Sequence, residues 1–277
     1  MVAARPDLIH VNEAIALPVA VRAAAATGAR VLFDAHEYSP DQFKDHRLLR
    51  VLAAPLYRHL VGRYGPRADA MVTVAPTIAE RYRREFGLDC AVVLNAPPYQ
   101  RVPFRPVDPA RIRLIHHGVA LRGRHLETTI DALARCDRRF SLDLMLVESS
   151  RGYVDELRAL ARRVAPDRVT FRVPVAPGAI VSAIADCDIG VALIPPVDFN
   201  YAHALPNKLF EFLMAGLAVA VGPSPAMARL VRAEQCGVVA DDFTPSALAG
   251  ALNGLTPGEI DRAKHRALAA ARRYNAE

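Results

Sequence analysis

Hydrophobic positions form short β-branched or apolar runs that alternate with longer stretches in which apolar residues recur every three to four positions. The short runs are typical of strands and the longer stretches of helices, so the alternation predicts βα units with parallel sheets. In the first part of the chain, the predicted strands are residues 8–11, 31–35, 70–74 and 91–94. The predicted helices are residues 15–26, 46–63 and 77–86, and Thr77 with Glu80 three residues later predicts a capping box.

Five prolines between Asn95 and Leu114 interrupt this alternation and predict an interdomain linker, because proline lacks the backbone donor that a sheet requires. The alternation then resumes with predicted strands at 112–116, 142–147, 169–173, 189–194, 219–222 and 238–240. Helices are predicted at 126–135, 154–164, 180–186, 208–215, 226–234, 245–253 and 257–274. Six strands with intervening helices predict a complete doubly wound domain.

The chain of 277 residues exceeds the usual size of a single hydrophobic core, so we expect two domains, at residues 1–104 and 105–277. The first is predicted to be incomplete, because residues 1–27 contain no glycine for an opening strand-to-helix turn. Neither G-x-G-x-x-G nor G-x-x-x-x-G-K-[ST] occurs in the sequence. A standard dinucleotide dehydrogenase and a Walker-type ATPase are therefore not expected.

Composition points to an ordinary globular protein, with 52% hydrophobic and 23% charged residues. No apolar run reaches the roughly 18 residues of a membrane span, and the start of the chain lacks a signal-peptide pattern. The cysteines are far apart, at Cys90, Cys136, Cys187 and Cys236, which favours reduced thiols over a zinc site or disulfide framework. These features predict a cytoplasmic protein.

The formal charge of +6 is compatible with nucleic acid, an anionic membrane surface or phosphorylated ligands. The basic residues are densest between Arg58 and Arg84, where they share helical turns with apolar residues. This stretch is predicted to be a solvated helical face, with docking to the inner membrane face as the alternative. No zinc-finger, RNP-like or basic-zipper pattern occurs, so a nucleic-acid partner is not expected.

The stretch LPNKLFEFLMAGLAVAVG contains Glu211 among apolar side chains, where an unpartnered polar group is costly. The pattern predicts a helix that starts at Pro206 or Asn207, with proline favoured at the first helical position and asparagine at the cap, and ends at Gly216. The helix start would attract phosphate, and Glu211 could accept hydrogen bonds from vicinal sugar hydroxyls. The alternative is a surface ion pair between Lys208 and Glu211.

Three segments also carry a resemblance. Residues 205–252 read LPNKLFEFLMAGLAVAVGPSPAMARLVRAEQCGVVADDFTPSALAGAL, residues 168–196 read RVTFRVPVAPGAIVSAIADCDIGVALIPP, and residues 6–40 read PDLIHVNEAIALPVAVRAAAATGARVLFDAHEYSP. The first two resemble the donor domain of glycosyltransferase family 4, a retaining family with the GT-B fold, and the third resembles its acceptor domain. The resemblance implies two Rossmann-like α/β domains, a nucleotide-sugar donor bound by the second domain, an acceptor bound by the first, and no metal or other cofactor.

The resemblance also implies donor-binding residues. Glu211 matches the glutamate that holds the ribose, and the family's other glutamate falls at His203, where a solvated loop histidine is the alternative. Asn207 and Lys208 lie between them. Cations for the diphosphate are expected in LIHHGVALRGRHLE, where the family's Gly-Arg is Gly118-Val119 and the loop provides the cations Arg122 and Arg124, for which two solvent-facing arginines are the alternative.

On the acceptor side, His36 in LFDAHEY resembles the histidine near the reacting centre and is the predicted catalytic residue, with a hydrogen-bonded core histidine as the alternative. Glu13 follows another strand and is predicted to contact the acceptor. Both follow the carboxyl ends of predicted strands, where open α/β sheets bind ligands. Retaining transfer in this family needs no protein nucleophile, so the lack of a Ser/His/Asp or Cys/His set is expected.

The predicted function is therefore retaining transfer of a sugar from a nucleotide sugar to a glycan or lipid-linked acceptor, of the kind used in polysaccharide biosynthesis. Compared with the family, the chain is expected to be truncated at its N-terminus and slightly at its C-terminus. That expectation supports two alternatives, a non-catalytic relative that binds nucleotide or an assembly partner, and a nucleotide-sugar epimerase.

Overall fold

The computed structural model describes residues 4–42 and 47–277. Its contacts divide the chain into two compact units, the first comprising Met1–Leu94 and Pro196–Leu205, and the second Asn95–Pro195 and Pro206–Glu277. The predicted boundary lay after residue 104, whereas the second unit already begins at Asn95, because the linker packs on that unit. The Val107 N–H donates to Asp261 Oδ1 at 2.9 Å, and the Phe104 ring stacks on His265 with centroids 3.8 Å apart.

The first unit contains a parallel sheet in the order β1-β2-β3-β4. Its strands are β1 (Leu8–Val11), β2 (Arg30–Asp34), β3 (Ala70–Thr73) and β4 (Ala91–Val92). They are connected by helices α1 (Leu17–Thr27), α2 (Arg47–Tyr64) and α3 (Pro76–Phe86). Alternate residues of β1 and β2 are buried, as expected for strands that face a core on one side. The predicted first residue of α2, His46, lies outside the described residues.

The predicted capping box at Thr77 is wrong. Helix α3 begins one residue earlier, at Pro76, with Ala75 as the N-cap and no side-chain cap hydrogen bond. Proline suits this first position because its ring fixes φ at a helical value and its missing N–H would have no intrahelical partner. Thr77 therefore lies inside the helix.

The second unit contains six parallel strands in the order β10-β9-β8-β5-β6-β7. They are β5 (Ile112–Ala120), β6 (Phe140–Glu148), β7 (Val169–Arg172), β8 (Ile189–Ala192), β9 (Ala218–Val221) and β10 (Gly237–Val239). The strand order reverses between β5 and β8, which confirms the predicted doubly wound topology.

The remaining helices follow in chain order. They are α4 (Leu126–Leu133), α5 (Tyr153–Val164), α6 (Ile180–Ile184), α7 (Phe199–His203), α8 (Asn207–Met214), α9 (Pro225–Glu234), α10 (Pro245–Asn253) and α11 (Pro257–Ala271). Helix α7 was not predicted, and it belongs to the first unit. No helix in the described part of the chain is long and apolar enough to cross a membrane.

The centre of the second sheet is buried on both faces. All four residues of β8 and all four of β9 are buried, as expected for parallel strands covered by helices on each side. Helix α11 is tied to the start of β8 by an ion pair between Lys264 Nζ and Asp188 Oδ1, 2.9 Å apart and 2% exposed at each side chain. The other carboxylate oxygen of Asp188 accepts from the Arg113 N–H. Asp188 therefore connects α11, β8 and β5 at the amino end of the sheet.

Candidate functional site

Strands β5 and β8 separate part-way along their length. Their pairing ends at Ile115 and Gly190, whereas the pairing of β5 with β6 continues to Ala120. The separation coincides with the reversal of strand order, where doubly wound sheets form a crevice for ligands at the carboxyl ends of their strands. His116, His117 and Gly118 follow Ile115 directly, at the start of this separation, which is here called the β5–β8 crevice.

His116 forms a buried pair with Lys208. Its Nδ1 lies 2.8 Å from the Val191 carbonyl oxygen, so we assign the ring proton to Nδ1. The Nε2 atom then accepts from Lys208 Nζ, 3.0 Å away. Burial and the charge of Lys208 hold the pKa of His116 well below its usual value. Burial and the nearby Arg124 lower the pKa of Lys208 to about 7.

Glu211 faces the second histidine. Its Oε2 atom lies 3.4 Å from His117 Nε2, and the His117 ring packs edge-on against Phe212 with centroids 5.2 Å apart. Burial, followed by the charge of Lys208, lowers the pKa of His117 to about 3, so this contact is not an ion pair at neutral pH. Burial raises the pKa of Glu211. The charge of Lys208 partly offsets that effect. Because Lys208 and Glu211 are both buried, the alternative of a surface pair is wrong.

Gly118 lies beside two cationic side chains. Its φ is +112°, and a Cβ built there would lie 3.7 Å from Lys208 Nζ and 3.9 Å from Arg124 Nη1. Arg122, in contrast, forms a forked pair with Glu156 at 2.8 and 2.6 Å and lies over the Tyr153 ring. The structure therefore separates the two predicted arginines, since Arg124 approaches the crevice and Arg122 is engaged by a carboxylate.

Helix α8 brings Lys208 and Glu211 to the crevice. The helix starts at the exposed Asn207, one of the two predicted starts, and Pro206 is its N-cap. Proline acts as the cap because its extended backbone ends the preceding loop, while its carbonyl accepts from the Leu209 N–H at 2.9 Å. The predicted end is confirmed, since Gly216 adopts a φ of +70° just beyond the helix.

The first unit contains a polar cavity of about 700 Å³. Residues after the carboxyl ends of β1 and β2 line it, including Glu13, His36 and Glu37. Burial, together with Asp198 and Glu13, raises the pKa of Glu37, and His36 acts in the opposite direction. The structure thus brings both predicted acceptor-side residues, His36 and Glu13, into one cavity.

The segment 196–205 completes that cavity. Asp198 caps α7 by accepting from the Tyr201 N–H at 2.8 Å. Buried Asn200 accepts from the Tyr38 N–H at 2.8 Å and donates to the Tyr38 carbonyl at 3.3 Å. His203 packs on the Phe199 ring at a centroid distance of 4.3 Å. His203 thus belongs to the first unit, whereas Glu211 belongs to the second.

Comparison with known proteins gives a family match over the first part of the chain and a fold match over nearly all of it. Residues 1–96 match the model of Glycosyltransferase Family 4. No curated protein matches the chain. Among solved structures, HepE from Anabaena in complex with UDP-glucose shares 19% identity at a TM-score of 0.73, over 98% of this chain and 75% of its own. The family model thus covers the first 96 of the 277 residues, and the likeness to HepE shows a shared fold.

Other structures agree on the fold. The trehalose-phosphate synthase from Burkholderia xenovorans, in complex with glucose-6-phosphate, shares 13% identity at a TM-score of 0.67, over 98% of this chain and 71% of its own. WaaG, a glycosyltransferase involved in lipopolysaccharide biosynthesis, shares 13% identity at a TM-score of 0.64, over 89% of this chain and 74% of its own. The predicted GT-B fold class is confirmed.

Sequence reasoning missed several polar residues around the two candidate sites. His116 and His117 stand side by side at the predicted end of a buried strand and directly before Gly118, which was the available signal. Asp198 and Asn200 had no comparable signal. They lie in a short helix whose neighbours in the fold are distant in sequence, with Asn200 and Tyr38 separated by 162 positions.

Proposed function

We propose that this protein is a glycosyltransferase that moves a sugar from a nucleotide sugar to a glycan or lipid-linked acceptor, with retention of anomeric configuration. The observation that carries the proposal is the meeting of Lys208 and Arg124 beside Gly118, with Glu211 one helical turn away. Two adjacent cations in a buried crevice match a diphosphate. The complexes of HepE with UDP-glucose and with UDP support a nucleotide-sugar donor.

Each donor-side residue has a role in this proposal. Lys208 and Arg124 bind the diphosphate and stabilise the negative charge that develops as it leaves, with Arg122 further out along the same loop. Glu211 accepts hydrogen bonds from the ribose hydroxyls, which gives its buried carboxylate the partners it needs. Asn207 at the start of α8 and His203 are proposed to contact the diphosphate or the sugar.

The cavity of the first unit is proposed to bind the acceptor. It is lined by carboxylate, amide and imidazole groups that can hydrogen-bond to sugar hydroxyls, among them Glu13 and His36. His36 is proposed to act next to the reacting centre. The acceptor oxygen forms the new glycosidic bond as the bond to the diphosphate breaks, and the leaving phosphate takes the acceptor proton. The proposed reaction uses no metal. The proposed location of the protein is the cytoplasm.

The donor site can be tested by calorimetric titration with UDP, GDP and ADP. One of these nucleotides should bind, and Glu211→Ala and Arg124→Ala should each weaken it by more than about tenfold, or 1.4 kcal/mol. Arg122→Ala is the matched comparison, because it removes the same side chain two residues away, and its loss should be distinctly smaller. Absence of binding by all three nucleotides, or equal losses at both arginines, would contradict this donor site.

Turnover separates the transferase from its alternatives. We expect release of free nucleotide from the nucleotide sugar only when an acceptor is present, and loss of that release in His36→Ala with donor affinity unchanged. An epimerase would convert the donor without an acceptor, and a non-catalytic relative would bind nucleotide without any turnover. Either result would contradict the proposed reaction while leaving the donor site intact.

A further inference from the structure

A second basic site lies at the amino ends of the strands of the same sheet, opposite the carboxyl ends described above. The amino ends of β5, β6 and β7 border a cavity of about 370 Å³, here called the arginine cavity. Its lining includes two aspartates, Asp143 and Asp167, and six arginines, Arg111, Arg113, Arg138, Arg139, Arg168 and Arg172. The nine residues of β5, at about 3.3 Å each, put it roughly 30 Å from the far end of that strand.

Three of these arginines have carboxylate partners within the protein. Arg139 Nε lies 3.6 Å from Asp137 Oδ2, and Arg113 and Arg172 share a second network. Arg113 Nη1 lies 2.8 Å from Asp186 Oδ2, and Arg172 Nη1 lies 2.9 Å from Asp186 Oδ1. Arg172 also pairs with Asp143. This network gives both guanidinium groups carboxylate partners and explains why they stay partly buried.

Arg168 is held differently. Its Nε donates to the Phe140 carbonyl at 3.1 Å, and its Nη2 donates to the carbonyls of Asp137 at 2.8 Å and Cys136 at 3.2 Å. These bonds fix the plane of the guanidinium without neutralising its charge. Burial lowers the pKa of Arg168 and the nearby Arg138 adds to that effect, whereas Cys136 and Asp137 act in the opposite direction.

The exposed Arg111 and Arg138 add to this excess of positive charge. Among the ion pairs of the described residues, none involves Arg111, Arg138 or Arg168. Arg111, Arg138 and Arg168 therefore repel one another across one concave space, and the carboxylate of Asp167, which forms an ion pair with none of them, lines the same space. An anion in that space would relieve the repulsion and accept hydrogen bonds from several planar guanidinium groups.

We propose that the arginine cavity binds a phosphate or diphosphate group, as an anion site separate from the β5–β8 crevice. Arg168 supplies a pre-oriented guanidinium, and Arg111 and Arg138 close around the anion from the adjacent strand starts. The volume reaches the lower range of small-molecule sites, which suits a compact phosphate-bearing group. The proposal does not depend on the proposed transferase reaction, because no residue is shared with the donor site.

Inorganic pyrophosphate is a suitable probe in calorimetric titration. The full-length Arg124→Ala variant serves as the background, since the donor site is weakened there. We expect pyrophosphate to bind saturably to this variant. Its affinity should fall at least tenfold when Arg111→Ala and Arg138→Ala are added. Both side chains are exposed and form no hydrogen bond among the described residues, so the fold should be kept, which thermal unfolding can verify.

The matched control adds Arg229→Ala and Arg232→Ala, two exposed arginines on α9, so that the net charge changes equally. This control should keep its affinity. Equal losses of pyrophosphate affinity in both double variants would show that only net charge matters and would overturn the proposal. Absence of both saturable pyrophosphate binding and vesicle binding would also overturn it.

The source of the phosphate can be distinguished by vesicles of phosphatidylglycerol in phosphatidylcholine. Loss of vesicle binding in the Arg111→Ala/Arg138→Ala variant, without pyrophosphate binding, would support the site and assign it to a lipid headgroup. Pyrophosphate binding without vesicle binding would support the site and assign it to a soluble phosphate-bearing ligand.

Discussion

At the scale of single residues, burial decides the charge state of the β5–β8 crevice. His116 and His117 remain neutral imidazoles at pH 7 because burial lowers their pKa values, that of His117 to about 3. Lys208, with a pKa of about 7, is charged in only part of the population. The ligand-free site therefore carries less positive charge than the sequence suggests, and a bound diphosphate would favour protonation of Lys208.

The titration of Lys208 predicts that donor binding takes up a proton. Below pH 7 the amine is already an ammonium ion, whereas above pH 7 it must bind a proton first, so affinity should fall as pH rises. The fall is at most about tenfold per pH unit, or 1.4 kcal/mol. Calorimetry with UDP-glucose at pH 6 to 8, in buffers of different ionisation enthalpy, measures the proton uptake directly.

UDP-glucose is the appropriate probe because its diphosphate has no proton that titrates near pH 7. The control is Lys208→Met, in which affinity should be lower and nearly independent of pH over this range. Proton uptake that persists in Lys208→Met would assign the titration to another group and contradict this account.

At the scale of elements, the approach of α8 to β8 positions Lys208 and Glu211, the proposed donor residues. A Cβ at Gly190 would lie 2.2 Å from the Phe212 ring, so this glycine allows the helix to lie close to the strand. Gly190→Ala should push α8 outward, cost about 1–3 kcal/mol of stability and weaken nucleotide binding by displacing Lys208 and Glu211. Urea unfolding and nucleotide titration measure the two effects.

Gly250 provides the matched control for this prediction. It lies exposed on α10, and a Cβ there would meet nothing within 4 Å. Gly250→Ala should therefore stabilise the protein by about 0.5–1 kcal/mol, because alanine is the better helix former, without changing nucleotide affinity. Similar losses in both variants would show that Gly190 has no special packing role.

The elements themselves were largely predictable from hydrophobic periodicity, and their ends were less so. The strand predicted at 112–116 continues as β5 to Ala120. Polar His116 and His117 end the apolar run, but the backbone hydrogen bonds to β6 continue irrespective of side-chain type. Helix α7 was missed because its five residues are too few to show a helical period.

At the scale of the whole molecule, the sequence indicated candidate site residues without indicating their partners. Lys208 and His116 are 92 positions apart, and only the folded sheet brings them to 3.0 Å. The sequence alone does not distinguish the roles of Arg122 and Arg124, since both lie in one basic loop. Glu156, on another helix, is what separates them. Pairing of this kind depends on tertiary contacts and therefore could not be read from local patterns.

The distribution of charge leads to a prediction about membranes. In the densest basic stretch, Arg81 pairs with Asp41 at 2.6 Å and with Glu85 at 2.7 Å. Arg83 pairs with Asp89 at 2.6 Å. Much of the positive charge on α3 is thus offset locally, which favours the predicted solvated face over a membrane-docking face.

Vesicle co-sedimentation of the full chain can test this preference. Each arginine that contacts an anionic surface contributes about 1 kcal/mol, so loss of two from a docking face would weaken binding by about thirtyfold. We expect Arg83→Ala/Arg84→Ala to bind phosphatidylglycerol vesicles as the unmodified protein does, at low and at high salt. Salt-sensitive binding that this double variant abolishes would instead show that α3 docks on the membrane, since screening weakens exposed charge contacts most.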